Sequence, residues 1–290
     1  MPSRKPIVAG QFYPGRRDAC LDEIREMLAG MPVMEHLPET IVAGIVPHAG
    51  WAFSGRLAAM VFSAIKQRNQ RVDTFAIFGA AHSYFGLSPA VYDKGSWTTP
   101  LGEIAIDEEL AAAVIGTGTA VSDTTAHRYE HSIEVQVPFI QHLFKDAAIL
   151  PILTPPAVDS INLGQAIAKI IKADGKKIVC IGSTDLTHYG PHYNFEPMGT
   201  GAQALQWASQ VNDKKFIDLA LKLEPGKILT SASENGNACG PGAAAAAVAA
   251  AKNLGKTQGV LLDHISSYEV MLEKYGNSSQ DSVGYAAIIF

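Results

Sequence analysis

The sequence predicts an α/β fold around a mostly parallel sheet, and three observations carry that prediction. Short, almost wholly apolar runs, IVAGIVPHAG (41–50), TFAIFGAAHS (74–83) and KIVCIG (177–182), each close on a glycine or proline signal, as strands buried on both faces do. Helical patterns alternate with these runs, the order expected of βαβ units. Hydrophobic residues make up 47% of the 290-residue chain, enough to fill a large core.

Read in order, FYPG (12–15) leads into a helix over about residues 16–29, and a proline-containing loop precedes a strand near 41–46. GRLAAMVFSAIKQ then sets Leu57, Met60, Val61, Ala64 and Ile65 on one helical face, and a strand at about 74–80 completes a βαβ unit. Residues 90–106 read as a β-hairpin with a long loop, outside the parallel core. AAILPIL (147–153), the helix INLGQAIAKIIK and KIVCIG give a second βαβ unit. A helix near 213–223, an alanine-rich helix from about 242 to 253, and strands at GVLLDHISS and GYAAIIF complete the pattern. No repeat, linker or shift of composition marks a boundary, so residues 1–290 read as one domain.

The formal charge of −5, without a basic run, gives no electrostatic reason to expect nucleic acid. The N-terminal MPSRKPIVAGQFYPG lacks the apolar stretch of a signal peptide, and no segment supplies the roughly 18 apolar residues of a membrane span. Three cysteines outside any CxxC motif favour a reducing compartment, and the expected location is the cytoplasm. Cys20, in an amphipathic helix, and Cys180, in an apolar strand, read as inert core thiols.

Three histidines end three of the apolar runs: His48, His82 and His188. Taken singly, each reads as a hydrogen-bonded structural residue. As a set they gather at the carboxyl edge of a parallel sheet, where open α/β folds bind ligands, and this is the reason to expect a metal site. PHAG and AAHS surround His48 and His82 with small residues, which lets a ligand approach closely. His36, His142 and His264 have no comparable setting and read as structural or surface.

In STDLTHYG, Asp185 precedes His188 by three residues, so in a helical turn its carboxylate would orient the imidazole; alternatively Ser183 or Asp185 caps a helix. Cys239, in NACGPGAAAAAVAAAKN, stands just before a helix opened by Pro241. The helix N-terminus favours a thiolate there, a ligand or nucleophile; the alternative is a small residue in a tight turn. His127, Glu130 and His131 spell HRYEH, the H-x-x-E-H pattern of inverted zinc peptidases, but Pro138 interrupts the helix that pattern needs or starts another. Glu130, His131 and Glu134 are kept as pocket or supporting residues. The glycines from 236 to 242 lack the lysine and spacing of nucleotide-binding loops, so no nucleotide cofactor is expected.

AGQFYPG, PHAGWAFSG (47–55), EHSIEVQVPF (130–139), STDLTHYG (183–190) and NACGPG (237–242) resemble, in the same order, the motifs of the Memo family, which includes the bacterial and archaeal proteins named for the AmmeMemoRadiSam system (system protein B). That family is similar in fold to the class III, LigB-type extradiol dioxygenases, which use non-haem iron. The resemblance spans nearly the whole chain and implies a single-domain, three-layer α/β sandwich with its site at the strand ends. It further implies His48, His82 and Cys239 as metal ligands and His188 as acid and base beside Asp185; Tyr189, an aromatic residue near these motifs, reads either as lining a pocket for a flat ligand or as core packing. Dioxygenases complete their triad with a carboxylate; the thiolate here is softer, turns preference toward copper or zinc, and departs from the ring-cleaving pattern.

The leading expectation is a redox, dioxygenase-like enzyme holding iron or copper, with zinc also compatible. A second reading is a non-catalytic protein that keeps the crevice to bind a peptide or small ligand, as the family's eukaryotic members linked to cell-motility signalling imply. A third is a hydrolase, using zinc at His127 and His131 or Cys239 as nucleophile with His188 as base. A small molecule or peptide is the expected substrate, no nucleic-acid or membrane partner is called for, and an oligomer is compatible with the composition.

Overall fold

A computed structural model describes residues 3–31, 34, 37–276 and 279–290; His36 lies outside them. β1 (Ser3–Arg4) and α1 (Arg17–Ala29) precede the segment β2 (Ala43–Val46), α2 (Trp51–Arg68) and β3 (Thr74–Gly79). Short elements follow: β4 (Ala90–Val91), β5 (Ser96–Thr99), β6 (Gly102–Ala105), α3 (Glu108–Gly116), β7 (Val121–Ser122) and α4 (Val137–Leu143). β8 (Ala148–Leu153), α5 (Val158–Ala173) and β9 (Ile178–Ser183) form the second βαβ segment. After β10 (His188–Tyr189) come α6 (Ala202–Trp207), a wide π-type turn (Ala208–Asp213), α7 (Lys214–Leu221), α8 (Pro225–Asn235) and α9 (Pro241–Asn253). β11 (Val260–Ser266), α10 (Ser267–Tyr275) and β12 (Ser282–Ile289) end the chain.

The large sheet runs β10-β12-β2-β9-β3-β8-β4-β7, with β11 also paired to β12. Its centre, β2-β9-β3-β8, is parallel, and antiparallel partners flank it on both sides. The two βαβ segments interleave: β9 inserts between β2 and β3. That order brings the carboxyl ends of β2, β9 and β3 side by side, with Val46 opposite Ser183 and Phe78 opposite Gly182.

Strand alternation divides the core into two faces. Phe75, Ile77, Val179 and Ile181 pack with α1, α2 and α4, whereas Ala76, Phe78 and Cys180 pack with α5 and α9. The expected three-layer α/β sandwich follows. The alanine-rich α9 is wholly buried from Ala243 to Ala251, because it lies unusually close to both neighbours. A Cβ at Gly182 on β9 would collide with the Ala243 carbonyl, and one at Gly164 on α5 with that of Ala246. Small residues therefore seat α9 against the sheet and deliver its N-terminus to the strand ends.

The reading of 90–106 needs correction. β5 and β6 form a tight hairpin in a separate three-stranded sheet with β1, while Ala90 and Val91 join the large sheet opposite Leu153 and Ile152. Both are small, apolar and wholly buried, so they extend the sheet instead of belonging to the hairpin. Pro138 falls in the first turn of α4 and starts that helix, where its missing N–H is harmless. Among the described residues, no helix is long and apolar enough to cross a membrane.

Candidate metal centre

Four loops meet at the carboxyl edge of the sheet. His48 follows β2, His82 follows β3, Asp185 and His188 lie just beyond β9, and Cys239 stands two residues ahead of the first residue of α9. The ligand atoms of His48, His82 and Cys239 lie within 4.8 Å of one another; so do those of Asp185, His188 and Cys239, and those of His82, Glu130 and His131.

Hydrogen bonding fixes which nitrogen each imidazole presents. The Ser183 hydroxyl donates to the Ser132 carbonyl at 2.8 Å, so it accepts from His48 Nδ1–H at 3.0 Å. The lone pair of His48 is then on Nε2, 3.1 Å from Cys239 Sγ. His82 Nδ1 donates to Glu130 Oε1 at 3.0 Å, leaving its Nε2 as the remaining nitrogen. Glu130 also accepts the amides of His82 (3.0 Å), His131 (2.9 Å) and Ser132 (2.8 Å). Both histidines thus have the supported Nδ1 and available Nε2 found in metal-ligating imidazoles.

Asp185 joins the loops. Its Oδ1 accepts the His48 amide at 2.6 Å, its own amide donates to Cys239 Sγ at 3.3 Å, and its carbonyl accepts the Cys239 amide at 3.2 Å. The Thr184 hydroxyl accepts the Gly240 amide at 2.9 Å. Two imidazole nitrogens and one sulfur form a borderline-to-soft donor set, which suits iron, copper or zinc.

Charge in the site is finely divided. Burial, reinforced by the His82 and His131 imidazoles, holds His48 well below its ordinary pKa, so it is neutral. Burial works to lower His82 as well, but the hydrogen bond and charge of Glu130 carry it above its ordinary value. Burial pushes Glu130 upward, yet His82 and the Ser132 amide hold its carboxyl at about 2. Asp185 is raised by burial against the pull of the His48 amide. Burial lowers both His188 and His131.

Cys239 departs from the expectation that a helix N-terminus would favour its thiolate. Burial, then the charge of Asp185, pushes the thiol up, outweighing the Asp185 amide and the Thr184 hydroxyl. Without a cation the sulfur therefore keeps its proton. Cys20 and Cys180 are core thiols pushed to about 12, chiefly by burial.

Several other expectations are resolved by position. The segment after β9 is not helical, so neither a helical turn nor a cap explains Asp185; the loop itself brings it to His188. His131 stacks on His82 with ring centroids 5.0 Å apart and meets Phe12 edge-on at 5.0 Å, so it faces the site. His127 does not. HRYEH forms a 3-10 turn over Ala126–Tyr129 and then an extended residue, and His127 Nε2 donates to the Ala90 carbonyl at 3.0 Å between Tyr92 and Trp97. The zinc-peptidase arrangement is thereby lost, because the pattern needs both histidines on one helical face.

Glu134 is likewise engaged elsewhere: it accepts from Arg4 at 2.7 Å, from the Ile7 and Val8 amides and from the Tyr13 hydroxyl, fastening the N-terminal segment. Tyr189 packs away from its neighbour His188, against Ala204, Leu205 and Ala208, with its hydroxyl donating to the Gly199 carbonyl at 2.8 Å. Ser183, which the sequence offered only as a helix cap, orients His48, and Tyr193, which it did not mark, packs at 5.0 Å from the His188 ring. Ser183 carries the one available signal, a hydroxyl at the end of a wholly apolar strand.

Over residues 4–289 the chain matches the model of a family described as Memo-like protein. It is similar to a MEMO1 family protein of Thermococcus onnurineus, 38% identical over 300 residues and 99% of each chain. A MEMO1 family protein of Methanosarcina barkeri is 37% identical over 290 residues, again 99% of both. One from Pyrococcus furiosus is 36% identical over 294 residues, covering 99% of this chain and 98% of the relative.

Proposed function

The chain belongs to the Memo-like family, and from that premise we propose a metal-dependent redox enzyme whose centre is held by His48, His82 and Cys239. One observation carries the reading: two imidazoles with Nδ1 held by Ser183 and Glu130 turn toward a buried sulfur, and His48 Nε2 comes within 3.1 Å of it. Bound iron or copper would supply one-electron chemistry and open positions for oxygen or substrate.

The chain's own groups supply proton handling. His188 is held neutral by burial, Asp185 lies beside it to favour the imidazolium once formed, and His188 Nε2 has no hydrogen-bond partner among the described residues. That nitrogen takes a proton from the substrate and returns it. The side chains of His82 and His131 are 31% and 24% exposed while Glu130 is buried, so a small molecule or peptide approaches from their side. Three free cysteines, two of them buried, support a cytoplasmic setting.

Cysteine-based hydrolysis fits less well, since burial and Asp185 keep the Cys239 thiol protonated. Anaerobic loading with Fe(II) or copper tests the assignment. The wild-type protein is expected to hold one equivalent, and His48→Ala and Cys239→Ala to lose it; wild-type stoichiometry in both variants would sink the reading.

A further inference from the structure

Asn212 and Asp213 close the wide turn between α6 and α7, and both are almost wholly buried. Such π-type turns are uncommon and concentrate near functional sites. Here both side chains engage Thr187, the residue just before His188: Asp213 Oδ1 accepts the Thr187 amide at 2.9 Å, and Asn212 Nδ2 donates to its hydroxyl at 3.1 Å. The same Nδ2 donates to the Asn235 carbonyl at 2.9 Å, and the Asn212 carbonyl accepts Asn237 Nδ2 at 3.2 Å. One residue therefore grips two segments, one running to His188 and one ending at Cys239.

The turn is held from behind. His264 Nε2 donates to Asp213 Oδ2 at 3.0 Å, and a Cβ at Gly284 on β12 would collide with that carboxylate. Neither Asn212 nor Asp213 is among the groups that could hold a metal.

We propose that Asn212 is a positioning residue of the candidate centre, setting the separation of the 185–188 segment from the Cys239 segment and so the hydrogen bond from the Asp185 amide to Sγ. Its metal-dependent consequence rests on the metal-site reading above; its effect on the hydrogen bond does not. A tenfold equilibrium change corresponds to about 1.4 kcal/mol, within the range of a buried hydrogen bond of this kind. Support lost from a residue that orients a ligand lowers metal affinity about 10-fold or more.

The test uses full-length Asn212→Leu and, because that variant risks misfolding, Thr187→Val, which removes only the hydroxyl that Asn212 engages. In metal-free protein, hydrogen exchange at the Asp185 amide is expected to quicken about 10-fold in both. With Co(II) as probe, the dissociation constant is expected to rise about 10-fold and the thiolate-to-cobalt absorption to move to longer wavelength, since the sulfur loses an N–H donor. Folded variants with the wild-type exchange rate at Asp185 and an unshifted band overturn the proposal. A wild-type protein without any thiolate-to-cobalt band would sink the metal reading instead, and amide exchange would still decide the role of Asn212.

Discussion

Cys239 Sγ lies 3.1 Å from His48 Nε2 across 191 residues of chain. The contact exists because β2 and β9 are parallel neighbours and α9, made of small residues, lies close enough to bring its leading loop to their ends. Burial and Asp185 oppose ionisation and push the thiol above its ordinary range, so the sulfur keeps its proton. A metal bound at this pair would therefore displace the thiol proton.

That linkage predicts a pH-dependent affinity. Binding at Cys239 must expel the thiol proton, so apparent affinity for Co(II) or Zn(II) is expected to rise about tenfold per pH unit around pH 8. His82, raised above its ordinary 6.5 by Glu130, adds a second proton to be expelled at lower pH and steepens the slope there. Competition titrations between pH 6 and 8.5 measure both limbs. A flat profile would show that the thiol is not a ligand.

Glu130 carries a separate prediction. Its folded-state carboxyl is held at about 2, against about 4.3 for an unfolded chain. The stability it contributes, on the order of 3 kcal/mol, is present above about pH 4.3 and lost as the pH falls toward 2. Glu130→Gln is expected to flatten that acid limb and to lower metal affinity about 10- to 100-fold, because His82 loses the partner that orients it. Denaturant titrations from pH 3 to 7 and a metal titration at pH 7 check the two effects, and wild-type affinity would show that Glu130 does not act through His82.

The strands that hold the site were legible because apolar runs closed by glycine or proline have few other readings, and His48 and His82 follow directly from them. Cys239 was marked by Pro241 and the alanine run behind it. Asp213 and Asn212 were not, since two polar residues at the end of a helical stretch give no sign that it will widen into a turn and bury both side chains. Glu130 was marked as a supporting residue, but its pairing with His82 was not, since that pairing depends on the chain leaving its 3-10 turn at Glu130, at φ −96° and ψ 129°. α3, α8 and α10 escaped the reading because they are only 9, 11 and 9 residues long and expose much of their length. Spacing suggested HRYEH as a site, and backbone geometry divided it: His131 faces the centre and His127 the core.

His127 should behave as a core histidine with a pH signature. Burial lowers its pKa to about 4 from 6.5, so the folded state favours the neutral ring. Its contribution is complete above about pH 6.5, and on the order of 3 kcal/mol is lost as the pH falls from there to 4. His127→Gln can still donate to the Ala90 carbonyl but cannot become charged. The variant is expected to show a flatter stability profile between pH 7 and 4.5 by urea unfolding, with wild-type metal stoichiometry; loss of a metal equivalent would restore the peptidase reading.

Gly164 offers the sharpest test of how α9 positions Cys239. Replacing an interior helical glycine by alanine ordinarily stabilises a helix by up to about 1 kcal/mol. At Gly164 the new methyl would meet the Ala246 backbone, which has no flexible end to give way, so α5 and α9 must move apart. Gly164→Ala is therefore expected to destabilise by about 1–3 kcal/mol, reversing the usual sign. Gly175→Ala, where nothing lies within 4 Å of the added carbon, is expected to be neutral or mildly stabilising. Because α9 carries the Cys239 loop on its N-terminus, the shift at Gly164 should also weaken Co(II) binding, whereas Gly175→Ala should not. Equal stability and affinity in the two variants would mean that close approach of α9 does not set the sulfur's place.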